Sequence, residues 1–450
     1  MTYAKEKVVV AGMGRTALAA VRLLLREGAV PFVTEQAPAE SVTPFRAQLD
    51  DLGVSYECGG HTPAAFDGAA MVVLSPGVPP SIPALGRARA SGIPVLGEME
   101  FAFPFCRSPI LAVTGTNGKT TTTELLRALV DSCGHSVLLA GNNASPFSAA
   151  VIADPAPDYV VLEVSSYQLQ NAARFRPWIG TVLNLTPDHL ARHGAMESYA
   201  ADKARLFAAQ GPGDIAVLNA DDSWTAAMTP PEGVTVCRFS LSARCDGGLW
   251  LDGDVIRDGD APVARAGDTR LPGRHNLENV LAALTMMRAG RFDWGKTLAG
   301  LRAFQGVEHR LERVAAIHGV TYYNDSKSTN IDSLRVALES FDAPLVLIAG
   351  GRGKGADYRV LRQLVGRRVK RMVTLGEDAP LLEEAFGDLV PAERAATMDD
   401  AVRRAASHAQ PGGVVLLSPA CASFDMFRDF EERGRVFKEH VRRLQKEVQP

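Results

Sequence analysis

Short apolar runs alternate with amphipathic segments along the chain, and this pattern predicts an α/β protein built mainly from buried parallel strands. Helical periodicity follows several of the runs, as in Ala17 to Arg26 and Asn276 to Ala289. A Gly- and Asp-rich region with short strands is expected between Leu249 and Asp268. The principal predicted strands are 7–11, 31–34, 71–74, 110–113, 136–140, 159–164, 181–185, 215–219, 345–349 and 414–417.

Length and composition narrow the class of protein. A chain of 450 residues suggests two to four domains. Its 48 basic and 51 acidic residues nearly balance, which argues against a nucleic-acid-binding surface, so any phosphate contacts must be local. The six cysteines show no C-x-x-C spacing and are expected to be reduced thiols. No apolar run approaches the roughly 18 residues of a membrane span, so we expect a cytoplasmic protein without a membrane partner.

The segment PILAVTGTNGKTTTTELLRALV, residues 109–130, has the layout of a phosphate-binding loop. A buried strand leads into Gly115-Thr116-Asn117-Gly118, and a helix begins at Lys119-Thr120. Glycines allow backbone N–H groups to approach a polyphosphate, while the lysine reaches the β/γ-phosphates and the threonine hydroxyl ligates Mg²⁺. Val113 stands where the longer G-x-x-x-x-G-K-[ST] pattern has its first glycine. A plain Gly-rich turn is the alternative, but it does not account for the Lys-Thr pair.

A second Gly-rich turn follows the first strand. Gly12-Met13-Gly14 leads into a helix with Ala17 at the third position of a dinucleotide fingerprint, and Glu35 ends the next strand. This pattern alone suggests an NAD-dependent oxidoreductase. The same turn recurs in many nucleotide-binding and purely structural β–α–β units, so the signal is weak.

Polar side chains at strand ends are the other candidates for chemistry. Glu163 ends an otherwise apolar strand, where an acid is either paired in a salt bridge or bound to a cation such as Mg²⁺. His189 and His193 are four residues apart, but no third ligand lies between them, which argues against a zinc pair. Periodicity alone assigns Lys203 to the solvated face of a helix.

The C-terminal third carries two polar strand ends. The run Asn324 to Asn330 and the loop Gly350 to Gly355 both suggest a surface that binds carboxylates or phosphates. Cys421 has no evident histidine partner and is interpreted as a core thiol. The basic stretch Arg433 to Lys446 is interpreted as the wet face of a terminal helix.

The loop T-G-T-N-G-K-T, residues 114–120, resembles the nucleotide loop of the Mur ligases. These ATP-dependent enzymes add amino acids to a UDP-linked muramoyl precursor of peptidoglycan. Further motifs resemble the family: N-L-[ST]-x-D-H at 184–189 and G-x-H-N-x-x-N at 273–279. D-S-K-x-T-N, G-G-x-G-K-x-[AS]-D and S-P-A-C-A-S-x-D are similar to those of the member that adds D-glutamate to UDP-N-acetylmuramoyl-L-alanine.

This resemblance implies three domains, with bounds 1–97, 98–307 and 308–450. The first is Rossmann-like and binds the UDP substrate, the second is a parallel-sheet ATPase domain with the phosphate loop, and the third is Rossmann-like and binds the amino acid. ATP, two Mg²⁺ ions and an acyl-phosphate intermediate are implied, with Lys203 carrying CO₂ as a carbamate. We expect a monomer.

The resemblance also implies roles for individual residues. The implied catalytic groups are Lys119, Glu163, His189 and Lys203. The implied metal ligands are Thr120, Glu163, His189 and Lys203. ATP is assigned to Gly115, Thr116, Asn117, Gly118, Lys119, Thr120, Thr121, Asn279, Arg310 and Asp325. The muramoyl substrate is assigned to Ser75, Gly77, Asn142, Ser165 and His189, and D-glutamate to Lys327, Thr329, Lys354, Ser423 and Phe430.

The sequence departs from the family pattern at two positions, and one residue of a family motif has an alternative interpretation. Glu35-Gln36-Ala37 replaces the usual acid-Thr-Arg run, so diphosphate binding is expected to use Arg15, backbone amides or another residue. Phe424 replaces the usual leucine. Asn276, in the same motif as Asn279, is alternatively a simple cap of its helix.

Overall fold

A computed structural model describes residues 3–79, 81–142, 144–188, 193–245 and 247–448. The chain forms two compact units, one of residues 1–268 and 278–302 and the other of residues 269–277 and 303–450. Three sheets with mainly parallel strands confirm the predicted α/β class. The three predicted domain bounds stay a prediction.

The first sheet has five parallel strands in the order β3-β2-β1-β4-β5. Its central strands are continuous apolar runs because helices cover both faces, and Val8, Val9 and Val10 are each 0% exposed. The strands are β1 Lys7–Ala11, β2 Val30–Glu35, β3 Ser55–Cys58, β4 Met71–Leu74 and β5 Val95–Gly97. The helices are Arg15–Arg26, Thr43–Asp51, Pro63–Phe66 and Pro83–Ala90.

The segment after this sheet begins with the buried helix Glu98–Ala102. The carboxylate of Glu100 accepts hydrogen bonds from the backbone N–H groups of Ala173 (3.0 Å), Arg174 (2.8 Å) and Phe175 (3.0 Å). A buried carboxylate is stable only when such donors satisfy it. The helix is therefore anchored in the first unit rather than free.

The second sheet has nine strands in the order β14-β13-β12-β11-β10-β9-β6-β8-β7. They are β6 Ile110–Thr114, β7 Val137–Gly141, β8 Tyr159–Glu163, β9 Ile179–Val182, β10 Ile215–Asn219, β11 Thr235–Ser240, β12 Leu249–Asp252, β13 Val255–Asp258 and β14 Ala261–Arg265. Strands β12 to β14 form an antiparallel edge, where the sequence predicted short strands. The helices are Lys119–Ser132, Phe147–Val151, Ser166–Leu169, Met196–Ala204, Ser223–Ala226, Arg274–Ala289 and Trp294–Ala303.

One predicted strand and one alternative interpretation in this part of the chain were wrong. The strand predicted at 181–185 is β9, Ile179–Val182, because the chain then turns to the phosphate loop, where Asn184 O accepts the Thr116 N–H at 2.9 Å. Asn276 does not cap its helix, which begins at Arg274. Its side-chain amide instead donates to Pro272 O at 2.7 Å.

The second unit holds a six-stranded sheet in the order β15-β16-β20-β17-β18-β19, parallel except for β15. Its strands are β15 Glu312–Ile317, β16 Val320–Asn324, β17 Leu345–Gly350, β18 Val369–Leu375, β19 Ala392–Arg394 and β20 Val414–Leu417. Its helices are Ile331–Glu339, Arg362–Arg368, Ala379–Phe386, Met398–His408 and Phe430–Val448.

The interpretation of the last helix as uniformly wet was wrong for two of its cations. Arg433 is 1% exposed and Lys438 is 8% exposed. Lys438 Nζ donates to Glu308 Oε1 at 2.5 Å and to Glu312 Oε1 at 2.9 Å. Apolar residues of the same helix, among them Phe437 and Val441, pack into the core and carry these cations inward.

All six cysteines are free thiols, as expected, and four of them are buried. Cys421 is 0% exposed, and burial raises the pKa of its thiol to about 11. A thiol with a raised pKa is a poor nucleophile, which agrees with a core role. Among the residues that the structure describes, no helix is long and apolar enough to cross a bilayer.

Candidate active site

The phosphate loop joins β6 to helix Lys119–Ser132 through two glycines with positive φ, Gly115 at +151° and Gly118 at +84°. A Cβ atom on Gly118 would lie 2.0 Å from Asn279 Oδ1, so this position requires glycine. The same proximity places Asn279 beside the loop. Lys119 Nζ donates to Gly115 O at 2.9 Å and to Thr116 O at 2.8 Å, which holds the ammonium group over the loop.

Asn184, which the sequence analysis did not select, holds the loop from behind. Its backbone oxygen accepts the Thr116 N–H and its side-chain oxygen accepts the Asn117 N–H, both at 2.9 Å. These two amides are therefore engaged within the protein. The amides at the start of the helix, where Thr120 and Thr121 are each 8% exposed, have no earlier carbonyl in the helix to donate to. They are the donors best placed for a phosphate.

Glu163 lies at the carboxyl end of β8, between β6 and β7, and is 2% exposed. The side-chain amide of the exposed Asn142 donates to its Oε1 at 3.1 Å, and the Asn142 N–H donates to its backbone oxygen at 2.9 Å. Gly141 makes this approach possible, because a Cβ there would lie 2.1 Å from Glu163 O. The sheet thus brings Glu163 and Asn142 to the same edge as the phosphate loop.

Lys203 is 1% exposed, so its assignment to a solvated helix face was wrong. Its Nζ donates to Gly115 O at 2.9 Å and to Thr114 Oγ1 at 3.2 Å. Burial, and next the nearby charge of Lys119, lower the pKa of Lys203 to about 7. The helix Met196–Ala204 therefore delivers an amine, rather than a fixed ammonium group, to the base of the phosphate loop.

Oxygen groups that suit Mg²⁺ meet at this edge of the sheet. Thr120 offers a hydroxyl and Glu163 a carboxylate, and hard oxygen ligands are those that Mg²⁺ prefers. The residues present therefore fit the implied metal. His189, expected to lie beside a second metal ion, falls outside the described residues.

Two other groups that resemble metal sites are already engaged. His193 hydrogen-bonds through both ring nitrogens, to Ser166 Oγ at 3.1 Å and to Asp202 Oδ2 at 2.9 Å, which leaves no lone pair for zinc. Glu308, His309 and Glu312 form a cluster with metal-like spacing. The ammonium group of Lys438 is already bound to both of its carboxylates.

A backbone N–H group in the turn after β1 is bound by a carboxylate of the protein itself. Glu35 accepts the Met13 N–H at 2.6 Å and the Ala37 N–H at 2.8 Å. In a dinucleotide-binding enzyme the acid at this strand end holds the ribose and the turn amides face the pyrophosphate. Here the acid and one amide satisfy each other, which disfavours the NAD interpretation.

A cleft in the first unit begins at Ser75. Gly12 has φ +101°, and a Cβ there would lie 2.9 Å from Ser75 Oγ, so the two strand ends touch. Gly77 is exposed beside it, while Ser165 caps helix Ser166–Leu169 through a reciprocal pair of contacts with Gln168. The cleft is lined by Leu74, Ser75, Pro76, Val78, Gly97, Glu98, Met99, Tyr167, Gln168 and Asn171.

In the second unit, Asp325 follows β16 and is buried. It accepts hydrogen bonds from Ser418 Oγ at 2.8 Å and from the Leu311 N–H at 3.2 Å. Burial nevertheless raises its pKa to about 7. The half-buried Arg310 lies close enough for its charge to oppose that rise.

Arg433, missed by the sequence analysis, ties two candidate loops together. It donates to Ser326 Oγ (3.0 Å), Ser326 O (2.8 Å) and Cys421 O (3.0 Å). Burial lowers its pKa to about 10, so it stays charged at neutral pH. The loop that carries Lys327 and Thr329 is thereby fixed to the loop that carries Ser423.

The five residues assigned to D-glutamate all lie in the second unit, on three strand ends and the last helix. Lys327 Nζ lies 5.6 Å from the centre of the Phe430 ring, and Ser423 is 2% exposed. Lys354 is exposed on the loop after β17, and Thr329 is half-buried. Reciprocal backbone hydrogen bonds of 2.9 Å between residues 352 and 422 join the Lys354 loop to the Ser423 loop.

One glycine of the last helix makes room for a polar cluster. A Cβ atom on Gly434 would lie 2.1 Å from His309 Nδ1. Asn324 Nδ2 is 2.9 Å from the same nitrogen and donates to Glu312 Oε2 at 2.9 Å. The helix can approach His309 only because residue 434 has no side chain.

Comparison with known proteins identifies the family. Three family models match: the Mur ligase MurD-like N-terminal domain at residues 6–97, the Mur ligase middle domain at 113–287, and the Mur ligase glutamate ligase domain at 309–421. A UDP-N-acetylmuramoylalanine–D-glutamate ligase of Pelotomaculum thermopropionicum is 44% identical, over 99% of both chains. That of Salinibacter ruber is 43% identical, over 98% of both chains.

Solved structures agree in fold. MurF from Acinetobacter baumannii has a TM-score of 0.61 and 17% identity, with 97% of this chain and 92% of that chain covered. UDP-N-acetylmuramate-alanine ligase MurC from Thermotoga maritima has a TM-score of 0.59 and 18% identity, with 98% and 99% covered. Together with the matched family models and the nearly full-length relatives, these findings show that the chain belongs to the Mur ligase family and is an ATP-dependent ligase.

Proposed function

We propose that the protein joins D-glutamate to UDP-N-acetylmuramoyl-L-alanine with hydrolysis of ATP, as a step of peptidoglycan synthesis. Two relatives above 40% identity are named for this reaction. The observation that carries the proposal is the meeting of a phosphate loop, a buried Glu163 and a buried Lys203 at one sheet edge. Such an edge is suited to phosphoryl transfer.

The chemistry begins with the poor reactivity of a carboxylate toward an amine. The γ-phosphoryl group of ATP moves to the alanyl carboxylate, which gives an acyl phosphate and ADP. The amine of D-glutamate then attacks the acyl carbon, the amide bond forms, and inorganic phosphate leaves. Lys119 stabilises charge on the transferring phosphoryl group, and donors near the acyl carbon stabilise the oxyanion.

Thr120, Glu163 and Lys203 are the described residues proposed to hold Mg²⁺, with His189 as a further candidate. Bound Mg²⁺ neutralises charge on the phosphates. The neutral amine of Lys203 attacks CO₂ and releases one proton, which yields a carbamate with two oxygens. A pKa of about 7 supports this step, because an ammonium group has no lone pair to attack with. Carboxylation also turns a charge that repels the metal ion into an oxygen ligand.

ATP binding is proposed for residues 115–121, with Asn279 near the adenine and with Arg310 and Asp325 as further contacts. The muramoyl substrate is proposed to occupy the cleft at Ser75, with contributions from Gly77, Asn142 and Ser165. Lys327 and Lys354 are proposed to pair with the two carboxylates of D-glutamate, since ammonium–carboxylate contacts are strong and directional. Thr329, Ser423 and Phe430 complete that site.

The proposal includes three domains bounded at 1–97, 98–307 and 308–450, and a cytoplasmic monomer. The three matched family segments support this division. Limited proteolysis that releases fragments with ends near residues 97 and 307 would agree with the bounds. A sedimentation coefficient typical of a dimer would contradict the monomer.

The decisive experiment measures phosphate release from ATP in the presence of UDP-N-acetylmuramoyl-L-alanine and a panel of amino acids. Release that requires both the muramoyl substrate and D-glutamate, and not L-glutamate or L-lysine, is the expected result. Release with a different amino acid would overturn the assignment of D-glutamate. NADH binding without any ATP turnover would favour the oxidoreductase instead.

A further inference from the structure

A hydrogen-bonded chain, Ser166–His193–Asp202, joins the segments that carry two of the proposed metal ligands. His193 Nε2 is 3.1 Å from Ser166 Oγ, and Nδ1 is 2.9 Å from Asp202 Oδ2. The imidazole side chain is 0% exposed and Asp202 is 19% exposed. A buried polar chain of this kind fixes the relative positions of the segments that contribute to it.

The contacts determine which nitrogen of His193 carries the proton. The contact with Asp202 requires a proton on Nδ1, and Nε2 lies within hydrogen-bonding distance of the Ser166 hydroxyl. Gln170 Nε2 lies 3.3 Å from the same Nδ1 and 2.9 Å from Asp202 Oδ2. Because two donors cannot bond each other, Gln170 donates to the carboxylate and strengthens the same arrangement.

The chain connects the two segments that carry Glu163 and Lys203. Ser166 begins its helix three residues after Glu163, and Asp202 adjoins Lys203 in helix Met196–Ala204. The His193 ring is held between two aromatic rings, with centroids 5.6 Å from Tyr167 and 4.8 Å from Tyr199. Loss of this bridge leaves each segment free to shift.

A Ser-His-Asp series also suggests a hydrolytic nucleophile, and burial argues against that alternative. Ser166 is 3% exposed and lies in the first turn of a helix. A nucleophile must reach a substrate carbonyl, with donors for the resulting oxyanion nearby. The imidazole, packed between two aromatic rings, has no room to exchange protons with a substrate.

We propose that His193 is a positioning residue that sets the separation of Glu163 and Lys203, and thereby the affinity of the site for divalent metal. The inference rests on the proposed function, which makes those two side chains metal ligands. Partners that orient metal ligands typically change metal affinity about 10- to 100-fold when they are removed. If His193 acted only by packing, a phenyl ring in its place would fill the same space and leave the metal affinity unchanged.

The test measures Mn²⁺ binding by electron paramagnetic resonance in the presence of a non-hydrolysable ATP analogue. His193→Phe keeps the ring and removes both hydrogen bonds, and we expect the Kd for Mn²⁺ to rise about tenfold. His193→Asn keeps a donor toward Asp202, so its Kd should lie between those of the wild type and His193→Phe. The KM for D-glutamate should not change in either variant.

A wild-type Kd in His193→Phe would overturn the proposal, as would equal losses in His193→Phe and His193→Asn. If His193→Phe does not fold, Ser166→Ala and Asp202→Asn each weaken one link and leave the imidazole packing in place. Lys203→Ala separates this inference from the proposed function. If Lys203→Ala does not change the Kd for Mn²⁺, the proposed metal site is wrong. If Lys203→Ala raises this Kd and His193→Phe does not, only the role of His193 is refuted.

The protonation state gives a readout that does not depend on metal. ¹⁵N spectra of the histidine-labelled wild-type protein should show a proton on Nδ1 of His193, as the hydrogen bond to Asp202 requires. A merely packed ring would not require a proton on that nitrogen. A His193 signal protonated at Nε2 alone would contradict the chain of hydrogen bonds.

Discussion

The two units hold their cations in different ways. In the first unit, Lys119 and Lys203 both donate to the backbone oxygen of Gly115 at 2.9 Å, and Lys203 is almost fully buried. In the second unit the buried Arg433 is bonded to Ser326 and to the loop at Cys421, while Lys354 remains exposed. The first unit brings two lysine side chains to one carbonyl oxygen, and the second leaves its candidate ligand-binding lysine in water.

This difference has an energetic consequence. Burial, and next the charge of Lys119, lower the pKa of Lys203 to about 7, so the first unit holds a desolvated amine beside Lys119 before any ligand binds. Lys354 must instead lose water and side-chain freedom when it meets a carboxylate. Changes in the first unit should therefore affect the rate of the chemical step. Changes in the second unit should mainly affect the concentration of amino acid that is required.

The largest effect is expected from Lys119→Ala. The variant removes charge stabilisation during phosphoryl transfer, typically worth several kcal/mol, so kcat should fall by about 10³-fold or more. Single-turnover phosphate release measures it. Lys296→Ala is the matched control, because Lys296 is exposed in the same unit. Retention of most of the rate in Lys119→Ala would refute the phosphate-loop assignment.

The next largest effect is expected from Lys203→Ala, which removes the proposed carbamate ligand and should lower kcat about 100-fold or more. Formate or acetate should restore activity in proportion to its concentration, because a small carboxylate can supply the missing oxygens. Chloride at equal ionic strength is the control. Full activity of Lys203→Ala would disprove the carbamate, and a folded but unrescued variant would assign Lys203 another role.

A smaller and more selective effect is expected from Lys354→Met. A charge-assisted contact is lost from one substrate only, so the KM for D-glutamate should rise about 30-fold while the KM for ATP stays within about twofold. Steady-state kinetics with each substrate varied in turn provide the measurement. Lys370→Met, at an exposed position of β18, controls for loss of charge. Equal changes for both substrates would indicate that this loop binds phosphate.

The smallest effect concerns stability. Because burial raises the pKa of Asp325 from 3.8 to about 7, the folded state binds a proton that the unfolded state has lost between these values. The contribution of Asp325 to stability therefore falls as pH rises from about 4 to about 7. Asp325→Asn should raise the unfolding midpoint at pH 8 by about 2 to 4 °C and leave it nearly unchanged at pH 4. Calorimetry of both proteins at both pH values provides the measurement. A difference in midpoint that is the same at pH 4 and pH 8 would contradict the assignment.

The buried core of the fold could be predicted from the sequence, and its edges could not. Strands β1, β4, β10 and β20 have the predicted bounds, because parallel strands covered on both faces are continuous apolar runs. The short strand β3, with sequence SYEC, is exposed or half-buried along its length and carries no such signal. Its position depends on pairing with β2, which is a tertiary effect.

Some residues of the candidate site could likewise be predicted from the sequence, and others could not. The phosphate loop was recognisable because its chemistry depends on local spacing, and Lys203 was selected only through resemblance to a family. Its burial could not be inferred, because the helix periodicity around it is that of a surface helix. Arg433 was overlooked for a related reason, since a charged residue is usually solvated and only the assembled loops show otherwise. Asn184 acts through contacts with a distant loop.

Gly434 restricts the substitutions that could raise the thermal stability of this protein. Glycine inside a helix costs about 1 kcal/mol relative to alanine, so a scheme that scans helices for weak positions would replace it. The added methyl group would meet His309 at 2.1 Å and push the helix away from the cluster that it covers. The cost of displacing His309 would then offset the gain in helix propensity. Thermostabilised variants of this chain should therefore keep the glycine and look for improvement elsewhere in the helix.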